Sequence, residues 1–165
     1  MPDPKSNIFN PFPGLRPFNQ EEDYLFFGRE QQVAELVTLL RKQRFLAVTG
    51  TSGSGKSSLV RAGLLPELQG GMMKEVGSDW ETLVLRPGGA PLQHLAEAVA
   101  EASLEDPEDP KVIGELLATL NHSGLGLVEA IRQSEIEPGT NVLVLIDQFE
   151  EIFRFQRSGA TNEEQ

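Results

Sequence analysis

The 165-residue sequence predicts an α/β fold in which a parallel sheet lies between two layers of helices. Three short apolar runs have strand character, at residues 45–49, 81–86 and 142–146, and helical periodicity fills the stretches between them. Strands that alternate with helices favour parallel pairing through helical crossovers. The third run is continuously apolar, which is typical of a strand buried on both faces of a sheet.

Composition supports a folded domain and argues against several kinds of site. Hydrophobic residues make up 39% of the chain and the net charge is −11, so the basic surface of a general nucleic-acid binder is missing. There is no cysteine and there are two histidines, so we expect neither disulfides nor a zinc site. No apolar stretch approaches about 18 residues, and there is no signal-peptide pattern. We therefore expect a cytoplasmic protein without membrane contact.

Residues 1–28 are rich in proline and phenylalanine. Closely spaced prolines oppose helix and strand interiors. The phenylalanines are too many for a free linker, so we expect an extended segment that packs on the domain. Residues 29–44 follow with one apolar face and a basic last turn, which predicts a helix. The apolar positions are Val33, Leu36, Val37 and Leu40.

A glycine-rich turn follows the first predicted strand. Residues 50–57 read GTSGSGKS, which fits the pattern G-x-x-x-x-G-K-[ST] between a strand and a helix. We expect positive φ at its three glycines, which would bring backbone N–H groups close to an anion in front of the helix dipole. The pattern predicts phosphate binding, with Lys56 as the clamp on the β- and γ-phosphates and Ser57 on Mg²⁺. The candidate nucleotide ligands here are Gly50, Thr51, Ser52, Gly53, Ser54, Gly55, Lys56, Ser57 and Ser58.

The helix after this turn is expected to end or bend at Gly63 and Pro66. Three further helices are predicted between the second and third strands, with an acidic surface loop at residues 104–110. Arg86 follows the second strand. Because that strand should lie at the sheet edge, we expect Arg86 to be a loop residue far from the phosphates.

Polar residues follow the third predicted strand. Asp147 comes directly after it, where an aspartate of a P-loop protein holds Mg²⁺ through water. Strand ends and the phosphate-binding turn meet at one rim of such a sheet, so the long separation in sequence is no obstacle. Hydrolysis also needs a base or a water-orienting group. Glu150 and Glu151 are both candidates, with Gln148 as a polar orienter, and the sequence does not choose between the glutamates.

Five segments in this order resemble the N-terminal region of the STAND NTPases, in particular the novel STAND class often fused to WD repeats in bacteria. The similarity covers roughly residues 8–157. The segments are NPFPGLRPF at 10–18, FFGRE at 26–30, the P-loop with Leu64-Leu65-Pro66 after it, residues 80–92 with Arg86-Pro87-Gly88, and DQFEE at 147–151.

The resemblance implies a signal-transduction ATPase that alternates between a closed ADP form and an open ATP form that assembles into homo-oligomers. It also implies that Gly28 and Arg29 lie beside the nucleotide base and that Asp147 holds magnesium. Family domains continue into a sensor strand, a winged-helix portion and repeat or effector domains, so we expect a truncated module. Residues 29–157 would be the N-terminal part of the NTPase domain, with three of about five strands, before a frayed tail at 158–165.

Other functions are compatible with the same residues. GTP is an alternative to ATP, and whether this length of chain hydrolyses nucleotide stays open. A non-catalytic nucleotide-binding or scaffold domain is a second hypothesis, because the sheet would be incomplete. A P-loop kinase needs a lid with arginines, which nothing after Asp147 offers. A DNA-acting ATPase conflicts with the acidic charge.

Overall fold

The computed structural model describes residues 13–71, 73, 77, 79–103 and 105–154. The chain divides into two compact units, Met1–Ser78 and Asp79–Gln165. The first 12 residues of the predicted N-terminal segment and the predicted frayed tail lie outside the described residues.

The described part of the first unit is helical. A 3₁₀-helix at Gln20–Leu25 interrupts the segment that was expected to be extended, because Asn19 and Glu22 form a capping box at its start. Helix α1, Glu30–Lys42, confirms the predicted helix and buries Val33, Leu36 and Val37. Helix α2 consists of three consecutive stretches, Lys56–Ser58, Leu59–Leu64 and Leu65–Gln69.

Helix α2 continues through Gly63 and Pro66, so of the two predicted outcomes, an end or a bend, the structure excludes the end. The stretch Leu59–Leu64 is π-helical, and the N–H of Leu65 donates to the carbonyl of Val60, five residues back. Pro66 has no N–H, and its ring would clash with a carbonyl four residues back in a regular α-helix. The wider π turn just before the proline relieves this conflict without ending the helix.

Gly63 lies where α2 packs most closely against α1 and the N-terminal segment. A Cβ at this position would come within 2.6 Å of Val33 Cγ2 and 3.4 Å of Phe26 Cε1. The rings of Phe26 and Phe18 pack edge-to-face at 5.9 Å, and the N–H of Phe18 donates to Ser58 Oγ at 3.1 Å. The described part of the N-terminal segment is therefore anchored on α2, as expected of a packed segment.

The second unit contains a parallel pair of strands and three helices. In chain order they are β1 Trp80–Leu85, α3 Pro91–Ala102, α4 Pro110–His122, α5 Gly126–Gln133 and β2 Asn141–Ile146. The strands pair in parallel, with Leu83 opposite Val144. The second and third predicted strands are thus confirmed within one residue of their expected bounds, and their parallel pairing is confirmed as well.

The core of the second unit lies between the sheet and its helices. Leu83 of β1 and Val99 of α3 are fully buried, and Val142 and Val144 of β2 pack against the same cluster. The described helices of this unit pack against the face of the sheet that carries Leu83 and Leu85. The other cluster members include Leu85, Ala96, Ile113, Leu116, Leu120 and Ala130.

Two predictions about the strands are wrong for the described residues. Residues 45–49 have no strand structure, and the sheet contains β1 and β2 alone. A short apolar run becomes a strand only where a neighbour supplies its backbone hydrogen bonds, and Phe45 instead is 81% exposed. In addition, every residue of β2 is partly or fully exposed rather than buried on both faces, because it has a neighbouring strand on one side.

The helices of the second unit begin at residues suited to helix starts. Pro91 and Pro110 each stand in the first turn, where the missing N–H has no cost. Asp109 caps α4, since its carboxylate accepts the N–H of Lys111 at 2.8 Å. Within the part of the chain that the structure describes, no helix is long and apolar enough to cross a membrane.

Candidate functional site

The glycine-rich turn leads into α2 through two left-handed residues. Gly53 has φ +76° and Gly55, which caps α2, has φ +81°. Side chains disfavour this region, so glycine is the suitable residue at both positions. The N-terminus of α2 directs its dipole into the turn. This backbone is suited to an anion.

Gly50 differs from the other two glycines. Positive φ was predicted for it, but its φ is not positive, so that prediction is wrong. A Cβ at this position would lie 3.0 Å from Ser54 Oγ, a tight approach that a small shift of the serine hydroxyl could relieve. The structure therefore does not require glycine at position 50 as it does at positions 53 and 55.

Lys56 holds its ammonium group against this turn. Nζ donates to the carbonyl of Gly50 at 3.0 Å and to that of Thr51 at 3.1 Å. An ammonium group has three protons to donate, and it is held here by neutral carbonyls. A phosphate oxygen is a stronger acceptor for such a donor than a carbonyl. The side chain is thus positioned to transfer its hydrogen bonds to an anion in the turn.

Arg29 is a second cation at the turn. Its Nη2 donates to the carbonyl of Ser54 at 3.1 Å. Just before it, Gly28 has φ +81°, and its N–H donates to Glu30 Oε1 at 2.8 Å. This hydrogen bond is the main cause of the lowered pKa of Glu30. The structure thus brings Arg29 to the glycine-rich turn, and the Gly28–Glu30 bond fixes the backbone that carries it.

A groove of about 310 Å³ opens beside Arg29 in the first unit. Apolar atoms of Phe26, Val33, Gly63 and Pro66 contribute to its lining. The charged residues Asp23, Arg29, Glu30 and Glu67 line it as well, so its walls are mixed. The groove lies next to Arg29, which the resemblance to the STAND NTPases associates with the nucleotide base.

The remaining predicted ligands of the turn have different environments. Thr51 and Ser52 are exposed, whereas Ser57 is half-buried in the first turn of α2. Ser58 Oγ accepts the N–H of Phe18, as described above. The hydroxyl of Ser58 is therefore engaged in anchoring the N-terminal segment.

In the second unit, Asp147 follows β2 and lies beside Arg86. The N–H of Asp147 donates to the carbonyl of Leu85 at 2.9 Å, which continues the ladder beyond the strand. Its side chain is 11% exposed, and its Oδ2 lies 4.0 Å from Arg86 Nη2. Arg86 thus lies beside one of the predicted site residues, although its distance from the phosphates stays a prediction. The two strands are neighbours in parallel, so the residues that follow them are neighbours too.

The two candidate bases have different surroundings. Gln148 has φ +58°, unusual for a residue with a side chain, and turns the chain sharply after Asp147. Glu150 is exposed. Glu151 is half-buried, and its Oε2 accepts the N–H of Gly88 at 3.2 Å. The helical residues 151–154 follow.

The predicted site residues thus form two groups in different units. One group surrounds the glycine-rich turn, and the other lies at the ends of β1 and β2. Both offer oxygen donors of the kind that Mg²⁺ prefers, a hydroxyl at Ser57 and a carboxylate at Asp147. Among the described residues, no three acidic, histidine or cysteine side chains are grouped so that they could hold a metal.

A comparison with models of protein families shows to which family the chain belongs. The model of the family described as Novel STAND NTPase 1 matches residues 11–165. The chain belongs to the Novel STAND NTPase 1 family. The match includes the glycine-rich turn and the segment from Asp147 to Glu151, so both groups belong to one family domain. Comparison with curated proteins and with solved structures gave no match.

Sequence reasoning missed two residues of this Novel STAND NTPase 1 domain. Arg86 lies near Asp147, and the backbone of Gly88 binds Glu151. Both follow β1, and the rule that neighbouring parallel strands end at the same rim would have found them. The missing information was which strands are neighbours.

Proposed function

We propose that this domain binds ATP together with Mg²⁺, with GTP as the alternative, and hydrolyses it as a switch in signal transduction. The observation that carries the proposal is the Lys56 ammonium, which lies against the carbonyls of a turn with left-handed glycines at the start of a helix. The membership in an NTPase family supports it.

In this proposal the phosphates occupy the turn in front of α2. The backbone N–H groups and the helix dipole would bind the β-phosphate, and Lys56 would exchange its carbonyl partners for phosphate oxygens. Arg29 donates to the carbonyl of Ser54 and so supports the turn. The groove beside Arg29 is the proposed site of the base, because Phe26, Val33 and Pro66 offer apolar contacts to a ring and Arg29 links the groove to the turn.

Ser57 and Asp147 are the proposed ligands of the metal ion. When bound, Mg²⁺ would neutralise negative charge on the phosphates. The chain's own contribution is to hold Asp147 at the end of β2, where Arg86 compensates its charge from 4.0 Å. One of the glutamates Glu150 and Glu151 would take the proton of the attacking water.

The nucleotide-driven assembly of copies and the coupling to sensor, repeat or effector domains are further parts of this proposal.

Titration with nucleotide tests the proposal. ATP, ADP and GTP with Mg²⁺ are titrated calorimetrically into the unaltered chain and into Lys56→Ala, and phosphate release is followed separately. The lost charge-assisted hydrogen bonds, worth about 1.5–3 kcal/mol, should weaken ATP binding roughly 10- to 100-fold. Lys111→Ala is the matched control, because Lys111 is 82% exposed and pairs weakly with Glu115 at 4.0 Å.

The results separate the candidate functions. Binding and turnover that both depend on Lys56 would support a switch ATPase. Binding without phosphate release would favour the non-catalytic scaffold, and phosphate transfer to an added small-molecule acceptor would favour a kinase. If neither ATP nor GTP bound the unaltered chain, the proposal would be refuted.

A further inference from the structure

We propose that Glu151 is a positioning residue that ties the turn after β1 to the segment after β2, which leaves Glu150 as the residue that acts on the water. The inference rests on the proposed function, because it divides the roles of the two candidate bases. It starts from a hydrogen bond between segments 63 residues apart, in which the N–H of Gly88 donates to Glu151 Oε2 at 3.2 Å.

The turn that Glu151 holds is well defined on its other side. Pro87 is fully buried, and its carbonyl lies 3.0 Å from His94 Nδ1 on α3. A carbonyl only accepts, so His94 donates through Nδ1. Gly88 has φ +51°, and a Cβ there would lie 3.2 Å from His94 Cε1. The N–H of Gly88 is thus held in a fixed place, and Glu151 is the side chain that binds it.

The same two segments approach each other a second time at Arg86 and Asp147, whose side chains lie 4.0 Å apart. Each segment is fixed by its own strand, and the strands pair along their whole length. The Glu151 bond therefore extends the β1–β2 contact beyond the last ladder bond, into the turn next to the proposed metal ligand. We expect it to define the path of the chain from Asp147 to Glu151.

The geometry separates Glu150 from this role. Gln148 has φ +58°, a conformation that costs free energy and that persists where the surroundings impose it. The N–H of Glu151 donates to the carbonyl of Gln148 at 2.9 Å, which closes the turn. Within this turn Glu151 faces Gly88 and Glu150 is exposed. A base must reach a water molecule, and the exposed carboxylate meets that requirement.

Amide hydrogen exchange of the full chain tests the tether without nucleotide. Glu151→Ala removes the acceptor and should speed the exchange of the Gly88 amide about tenfold. Glu151→Gln keeps a carbonyl oxygen as acceptor and should leave that amide protected. Glu135→Ala is the control, since it removes an exposed glutamate of the loop before β2 and should not change the exchange.

Phosphate release with ATP and Mg²⁺ then separates the two glutamates. Glu150→Gln should abolish turnover with nucleotide binding retained, whereas Glu151→Gln should keep most of the turnover. Unchanged exchange of Gly88 in Glu151→Ala would overturn the tether. Loss of turnover in Glu151→Gln but not in Glu150→Gln would overturn the division of roles. An unaltered chain that releases no phosphate would refute the hydrolytic function and with it the role of Glu150, while the exchange of Gly88 would still decide the tether.

Discussion

Gly63 allows a sharp test of the packing that supports the glycine-rich turn. In Gly63→Ala the new Cβ would lie 2.6 Å from Val33 Cγ2, about 1 Å inside ordinary carbon–carbon contact. Two effects oppose each other. Alanine is the better helix former, by about 1 kcal/mol. Overpacking of a filled interior costs about 1–3 kcal/mol, and the upper part of that range applies because Val33 is β-branched and stiff at χ1. We expect a net loss of about 1–2 kcal/mol of unfolding free energy.

A second helical glycine gives the matched control. Gly114 lies within α4, and a Cβ there would meet no atom within 4 Å. Gly114→Ala should therefore stabilise the chain by about 0.5–1 kcal/mol, since only the helix propensity changes. The two substitutions are chemically identical, so opposite signs would isolate the contact of Gly63 with α1.

Urea unfolding followed by far-UV circular dichroism measures both effects. The midpoint should fall for Gly63→Ala and rise for Gly114→Ala, at an unchanged slope. In the Val33→Ala background the clash is gone, so Gly63→Ala should become stabilising, with a coupling of about 2–3 kcal/mol. If Gly63→Ala stabilised the chain as much as Gly114→Ala, or if the coupling were zero, the close approach of α1 and α2 would be refuted.

Two further predictions concern electrostatics. Two hydrogen bonds from Arg16 and a third from the backbone N–H of Asn19 lower the pKa of Glu22 to about 2. The ionised Glu22 therefore stabilises the folded state at pH values above its unfolded pKa. This stabilisation is lost as the pH falls through about 2. The stability difference between the wild type and Glu22→Gln should thus be constant from neutral pH to about pH 5, and should shrink towards pH 2 in acid unfolding curves; a difference independent of pH would contradict it. Asp109→Ala removes the cap of α4 and should lower the free energy of unfolding in urea by about 1 kcal/mol. Asp109→Asn keeps an oxygen acceptor and should be close to the wild type. Equal losses of stability in both variants would contradict the role of Asp109 as a cap.

Local sequence patterns predicted those structural elements whose conformation is determined mainly by the residues within the element. The bounds of α1 follow from one apolar face and a basic last turn, and the bounds of β1 and β2 from short apolar runs. The left-handed Gly53 and Gly55 follow from the glycine-rich motif, because the requirement for positive φ belongs to the turn itself. In each case the signal and the structure involve the same few residues.

Features that depend on distant partners could not be predicted in this way. Residues 45–49 have the sequence of a strand, but a strand also needs a neighbour. Arg86 lies near Asp147 only because β1 and β2 are adjacent, and no local pattern states which strands pair. The different surroundings of Glu150 and Glu151 depend on the N–H of Gly88, which binds Glu151 and is far away in sequence.

The π-helical stretch of α2 determines which side chains of its last turns face inward. Each residue of a π-helix turns less about the axis than the 100° of an α-helix, so six such residues leave the following residues roughly 100° behind the regular course. Leu68, which is 1% exposed, has its buried orientation in this shifted course. A deletion of one residue within Leu59–Leu64 would let the helix become a regular α-helix and would keep Leu68 on its buried face. Pro66→Ala without a deletion would also favour a regular helix, but one in which Leu68 turns away from the core. Pro66 thus helps to determine which side chains face inward in the helix that begins at Lys56.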